Sequence, residues 1–270
     1  MEKEVKVSII MGTYNPKHRI WLESAVNSIV NQSFAEWELI LYDDGSDRIY
    51  QEIIKKSADI DERIRLFYGN TNQGLAHALN QCLKKAKGKY VARMDDDDIS
   101  LPDRLQIQYQ WMEKHPEYAW TGTLCQKFDE SGVWGTEYVP EKPGTTDYLY
   151  NSPYIHPTVM FRKKILEQTS GYLVSDVTRR CEDYELFMRL QSLGYRGYNI
   201  QKPLLQYREN KESYKKRAFR YRVDEMKIRF RGFHRMGIFN IVTIPFVIKP
   251  LFVGLVPGMI YRVIKRKRQR

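Results

Sequence analysis

Tyr90-Val91-Ala92-Arg93-Met94-Asp95-Asp96-Asp97-Asp98 is the stretch on which the reading of this chain turns. Its first five residues have the pattern of a short buried strand. Its last four are adjacent carboxylates, which repel one another. A fold keeps such a run at a strand end where water or a cation relieves the repulsion. A hard divalent ion such as Mg²⁺ or Mn²⁺ is held by a few carboxylates and completes its shell with phosphate oxygens. The plain alternative is a solvated acidic turn.

Upstream of this run, strand and helix patterns alternate. Val5 to Met11 reads as a buried strand that ends in the turn signal Gly12-Thr13-Tyr14-Asn15-Pro16. Leu22, Ala25, Val26, Ile29 and Val30 then recur at helical spacing. A second strand, Glu38 to Tyr42, stops at Asp43-Asp44-Gly45-Ser46. A polar helix is expected over 48–58 and a third strand over Arg63 to Tyr68. Leu75, Ala78, Leu79, Cys82, Leu83 and Ala86 mark another amphipathic helix, with Gly88 at the place of a C-terminal cap. This alternation predicts an α/β fold with a doubly wound, mostly parallel central sheet and helices on both faces. Ligands of such sheets bind at the carboxyl ends of the strands. Three polar clusters fall at three such ends: Gly12 to Asn15, Asp43 to Ser46, and Asp95 to Asp98. Their convergence favours a site over a solvated turn.

Beyond residue 100, Pro102 is expected to open a helix that runs to about His115. Tyr118 to Leu124 reads as a strand and 125–150 as mixed turns and short strands. Glu182 begins a helix that ends at Gly194, and 195–208 reads as extended. From 211 to 235 a basic helical stretch is expected. Ile238 to Ile264 is apolar but interrupted by Pro245, Lys249, Pro250 and Pro257. Broken interfacial helices with a polybasic flank fit it better than one spanning helix.

The net charge of +11 is unevenly placed. Residues 1–201 carry 25 Lys and Arg against 29 Asp and Glu; residues 202–270 carry 19 against 4. A slightly acidic body with a basic tail suits an anionic surface, such as membrane headgroups or a lipid-linked phosphate. It argues against a nucleic-acid-binding module, for which no recognition motif is present. A metal-dependent nucleotidyltransferase would want a Gly-rich basic loop after the first strand, and none is found. Cys82, Cys125 and Cys181 are odd in number and far apart, which suggests a reducing compartment. No signal peptide is expected, because Met1-Glu2-Lys3-Glu4 leads straight into a strand.

Val7-Ser8-Ile9-Ile10-Met11-Gly12-Thr13-Tyr14-Asn15, Ser28-Ile29-Val30-Asn31-Gln32-Ser33, Asp43-Asp44-Gly45-Ser46, Asn72-Gln73-Gly74-Leu75 and Arg93 to Asp98 with Leu101-Pro102, in that order, closely resemble family 2 glycosyltransferases of the A-type fold. The resemblance covers about 5–210. It implies a catalytic domain over 1–210, with a nucleotide-binding half (1–100) and an acceptor half (101–210), followed by a basic, apolar extension over 211–270. It implies an inverting transferase, of the bacterial polysaccharide type, that uses a nucleotide-diphosphate sugar with Mn²⁺ or Mg²⁺.

Gly12, Thr13 and Tyr14 would line the nucleotide pocket, and Asp44 would accept a hydrogen bond from uracil N3–H. Asp95 and Asp97 fall on the first two acids of the family's Asp-x-Asp-Asp motif. Asp97 would be the main metal ligand, and Asp95 a ribose or metal contact. Asp96 would lie beside the nucleotide at the variable position, with Asp98 in support. Asp183 maps to the general base, with Glu182 as the fallback; a helix N-terminus is expected to lower the Asp183 pKa. His156, Arg179 and Arg180 are candidate contacts to acceptor or phosphate, against plain readings as a structural histidine and a solvated pair. The acceptor would be a glycan, with a polyprenyl-diphosphate-linked one in view. The protein would sit peripherally on the cytoplasmic face of the membrane through its C-terminal region; the alternatives are packing of 238–264 on the protein's own core and a dimer surface on the basic aromatic helix.

Overall fold

The computed structural model describes residues 4–209 and 219–255. The predicted alternation is present: β1 (Val7–Thr13), α1 (Arg19–Val30), β2 (Trp37–Asp43), α2 (Arg48–Ala58), β3 (Ile64–Tyr68), α3 (Leu75–Lys85) and β4 (Tyr90–Arg93). These strands are parallel and lie in the order β3-β2-β1-β4. Successive residues of one strand serve opposite faces. Val7, Ile9 and Met11 join Leu39 and Leu41 under α1 and α2, while Ile10, Ile40 and Val91 pack against α3. Burial on both faces is why β1 and β2 read as continuous apolar runs instead of alternating ones.

The chain continues through β5 (Ile99–Ser100), α4 (Arg104–Lys114), β6 (Trp120–Asp129), β7 (Gly132–Glu137), β8 (Met160–Arg162), α5 (Lys163–Gln168), α6 (Glu182–Ser192) and β9 (Gly197–Arg208). The sheet extends as β4-β8-β6-β9-β5, and β7 pairs with β6. β8 runs antiparallel to both its neighbours and β5 antiparallel to β9, so the sheet is mixed but mostly parallel.

Three local expectations are corrected. Gly88 is not a left-handed helix cap: α3 closes at Ala86 in extended geometry. Gly88 is needed because a Cβ there would sit 2.7 Å from the Ser8 backbone nitrogen. Pro102 is not the first helical residue, since Leu101 and Arg104 form a turn and α4 starts at Arg104. The strand expected to end at Leu124 runs on to Asp129, because β9 pairs along it and β7 joins at its far end.

The C-terminal stretch packs on the body. α7 (Phe219–Arg235) and α8 (Ile244–Leu255) send Ile228, Phe233 and Val247 into the same apolar cluster as Trp120, Phe187 and Leu190. Arg229 is buried, bonded to Glu225 and to the carbonyls of Leu149 and Tyr150, and Arg235 pairs with Glu185 of α6 at 3.0 Å. Among the described residues no helix is long and apolar enough to cross a membrane. The remainder of the basic tail, 210–218 and 256–270, lies outside the described residues.

Candidate active site

The order β2-β1-β4 sets three strand ends side by side. Gly12 and Thr13 belong to the last turn of pleat in β1, not to a loop. At Gly12 the strand passes so close to α3 that a Cβ would lie 2.9 Å from Ala78 Cβ. Thr13 links the neighbours on both sides. Its carbonyl accepts from the Asp44 N–H at 2.9 Å, and its hydroxyl donates to Asp96 Oδ2 at 2.6 Å. Tyr14 is exposed at the rim, and Asn15, with φ 44°, clamps the β1 loop to Ser46 and Asp47.

Asp44 is buried, and burial raises its pKa against the pull of two backbone donors. Its Oδ2 accepts from the N–H groups of Gln73 (3.0 Å) and Gly74 (2.6 Å), while Oδ1 has no hydrogen-bond partner among the described residues and lies 3.4 Å from His77 Nδ1. One oxygen therefore holds the Asn72-Gln73-Gly74 loop, and the other can accept from a ligand.

The acidic run divides into distinct environments. Asp95 pairs with the guanidinium of Arg93, which is buried. Asp96 is tied to Thr13, and burial pushes its pKa up to about 6. Burial, reinforced by the charges of Asp95 and Asp96, pushes Asp97 up to about 7. Asp98 is the most buried of the four. Its Oδ1 accepts from the Arg208 N–H at 2.8 Å, and its Oδ2 has no partner among the described residues. Oxygens of Asp95, Asp97 and Asp98 lie within 4.8 Å of one another. An all-oxygen, anionic set with a buried, unsatisfied oxygen fits a hard divalent cation. Asp98, expected as support, thus stands in the converging set, and Asp96, expected beside the nucleotide, has its own anchoring bond.

Glu182 and Asp183 open α6. Their pKa values are raised, not lowered: burial outweighs the helix-end N–H groups that favour the anion. Glu182 goes up to about 8, and its Oε2 finds no partner among the described residues. Arg93 is the buried cation whose charge acts on both acid groups, and it also bears on His156. His156 is itself buried, with Nε2 at 2.8 Å from the Tyr172 hydroxyl; burial and the nearby Arg93 charge hold its pKa well below 6.5. The exposed arginines part company. Arg179 Nε comes within 3.9 Å of where a Gly74 Cβ would be, facing the Asp44 loop, whereas Arg180 lies over the Tyr221 ring at 5.6 Å.

Sequence reasoning gave no role to Arg93 or Arg208. Arg208, at the end of β9, braces the acidic run through the Asp97 carbonyl and Asp98, and stacks between Trp21 and Phe128. A basic residue two positions before an acidic run was a readable signal for Arg93. Nothing local could have brought Arg208 across from 111 residues away.

Two solved structures share this fold. S. aureus TarS in complex with UDP-GlcNAc aligns with a TM-score of 0.69 at 19% identity, over 93% of this chain and 72% of that one. The mannosyltransferase PcManGT from Pyrobaculum calidifontis, in complex with GDP-Man and Mn²⁺, aligns with a TM-score of 0.65 at 16% identity, over 98% and 80%. The fold is thus that of the A-type glycosyltransferases. The family model described as glycosyl transferase family 2 matches residues 8–170, and the chain belongs to that family. It is 36% identical to the Bacillus subtilis protein named "Putative glycosyltransferase EpsE", over 99% of this chain and 96% of that one. It is 28% identical, over 97% of each, to the Escherichia coli UDP-Gal:alpha-D-GlcNAc-diphosphoundecaprenol beta-1,3-galactosyltransferase. The chain is a glycosyltransferase.

Proposed function

We propose that this enzyme moves a sugar from a UDP-sugar, with inversion, to a glycan acceptor carried on a polyprenyl diphosphate, in the assembly of a cell-surface polysaccharide at the cytoplasmic face of a membrane. The observation that carries the reading is the division of the buried acids. One group converges at the end of β4, and a second, Glu182-Asp183, opens α6. The named activity of the E. coli relative supports the donor and acceptor classes.

Asp44 Oδ1 accepts from the base of the nucleotide, beside Gly12, Thr13 and Tyr14. Asp95, Asp97 and Asp98 hold Mn²⁺ or Mg²⁺, which supplies Lewis-acid and template chemistry at the departing diphosphate. Arg179 faces the same diphosphate. Asp183 takes the proton of the acceptor hydroxyl as that oxygen bonds to the anomeric carbon and the bond to the diphosphate breaks on the opposite face; a single displacement inverts the centre. Glu182, whose pKa burial pushes up to about 8, is the alternative base beside it. Two adjacent buried carboxyls do not both ionise readily, and the one that gives up its proton is available as the base.

The test is transfer from a panel of UDP-sugars to a polyprenyl-diphosphate sugar in detergent, with Mn²⁺ or Mg²⁺, reading UDP release and product anomeric configuration. Asp183→Asn should lower turnover by about 10²–10⁴-fold with donor affinity kept. Asp97→Asn should weaken donor binding in the presence of metal. Full turnover in Asp183→Asn, or a product with retained configuration, would overturn the reading.

A further inference from the structure

The outer face of α7 and α8 is not explained by catalysis. A groove of about 580 Å³ runs between the two helices, lined by Met226, Phe230, Phe239, Ile244, Val247 and Ile248, with Lys227 and Arg231 alongside. Ile244, Ile248, Phe252 and Leu255 recur at a spacing of four, four and three, one helical stripe. Phe252 is 63% and Leu255 72% exposed, and Ile241 and Val242, just before α8, are 83% and 73% exposed. Scattered apolar side chains are ordinary on a surface, but a contiguous apolar face of this kind marks a contact.

The charge around the face says what it contacts. α8 carries no acidic residue, and the charged side chains lining the groove are Lys227 and Arg231, both cations. A second copy of the chain would bring this cationic face against itself. Among the described residues no helix is long and apolar enough to cross a membrane, so α8 is read as a surface helix. It has the form of a helix that lies in the interface plane, with its apolar stripe down and cations beside it.

We propose that the outer face of α7 and α8 docks this enzyme on an anionic phospholipid surface, with Ile241, Val242, Phe252 and Leu255 entering the headgroup region and Lys227 and Arg231 meeting phosphates. This deepens the function proposed above, and it rests on that reading for the place of the acceptor. The N-terminal end of α7 supports the orientation: Tyr221 lies under Arg180, three residues before Asp183, so the docking face adjoins the acceptor side of the site.

The test is flotation of the full chain with vesicles of phosphatidylcholine alone or mixed with phosphatidylglycerol. The wild type should float with the anionic vesicles and be released by salt. Phe252→Asp/Leu255→Asp should reduce the floated fraction at least tenfold, with UDP-sugar affinity and melting temperature unchanged. If that pair perturbs folding, Lys227→Glu/Arg231→Glu, which alters only exposed cations, should give the same loss on anionic vesicles. Undiminished flotation of folded variants, equal flotation on neutral vesicles, or a dimer abolished by the same substitutions would each overturn the proposal. Transfer to a detergent-solubilised acceptor reports separately on the proposed reaction. It should survive these substitutions, so the docking face can fail while the reaction stands, and the reverse.

Discussion

Glu182 and Asp183 are neighbours in sequence and share one buried place, yet they are different acids. Burial carries Glu182 from its ordinary 4.5 to about 8, and the adjacent Asp183 charge adds to the shift. The folded protein thus keeps a proton that the unfolded chain has already released. The stability tied to this proton is fully present below pH 4.5 and is lost as pH rises through about 8. Glu182→Gln cannot lose it, so the melting temperature of that variant should gain on the wild type from below pH 4.5 to above pH 8. Acids away from this pair act alike in both proteins and largely cancel in the difference, so the gap reports the coupled titration of Glu182 and Asp183. A gap that stays constant across this range would refute the protonated Glu182. At this scale the acidic run was legible as a candidate site once the polar clusters at the ends of β1 and β2 were set beside it. Which carboxylate does what was not, because the answer depends on Thr13 and Arg208, brought in from distant strands.

The element that holds Asp44, the proposed base contact, is the turn from β3 into α3. Gly74, with φ 92° and ψ 167°, adopts a backbone geometry open essentially only to glycine, and its N–H is one of the two that hold Asp44. Gly74→Ala should cost about 1–3 kcal/mol in a denaturant titration. It should also raise KM for the donor more than it lowers turnover, because the loop held by Asp44 would loosen. An unchanged KM in a measurably destabilised variant would separate this turn from the donor pocket. The strands and helices of the first hundred residues were readable, since each buries a periodic face in a sheet covered on both sides. The errors came where contacts replaced periodicity. Gly88 resembled a helix cap but answers the approach of β1, and β6 outran its apolar pattern because β9 and β7 pair along polar Gln126 and Lys127.

At the scale of the molecule, α7 and α8 share a core with the body. Ile228, Phe233 and Val247 fill the cluster that holds Tyr184, Phe187 and Leu190, and the buried Arg229 satisfies the carbonyls of Leu149 and Tyr150. A chain ended at residue 210 should therefore expose apolar surface and fail to give a cooperative unfolding transition. Arg229→Met in the full chain, which leaves Glu225 with Arg222 but frees the carbonyls of Leu149, Tyr150 and Phe246, should cost roughly 1–3 kcal/mol. A well-folded 1–210 fragment with native donor affinity would disprove this dependence. The sequence alone determined the order of strands and helices, the gathering of acids at strand ends, the family likeness and the basic tail. These are local or periodic properties, written in consecutive residues. Only the tertiary structure decided that Asp98 joins Asp95 and Asp97, that the charge of Arg93 acts on both acid groups, and that Ile228, Phe233 and Val247 of the tail are core. Those outcomes depend on burial and on contacts between residues far apart in the chain, and neither periodicity nor composition encodes them.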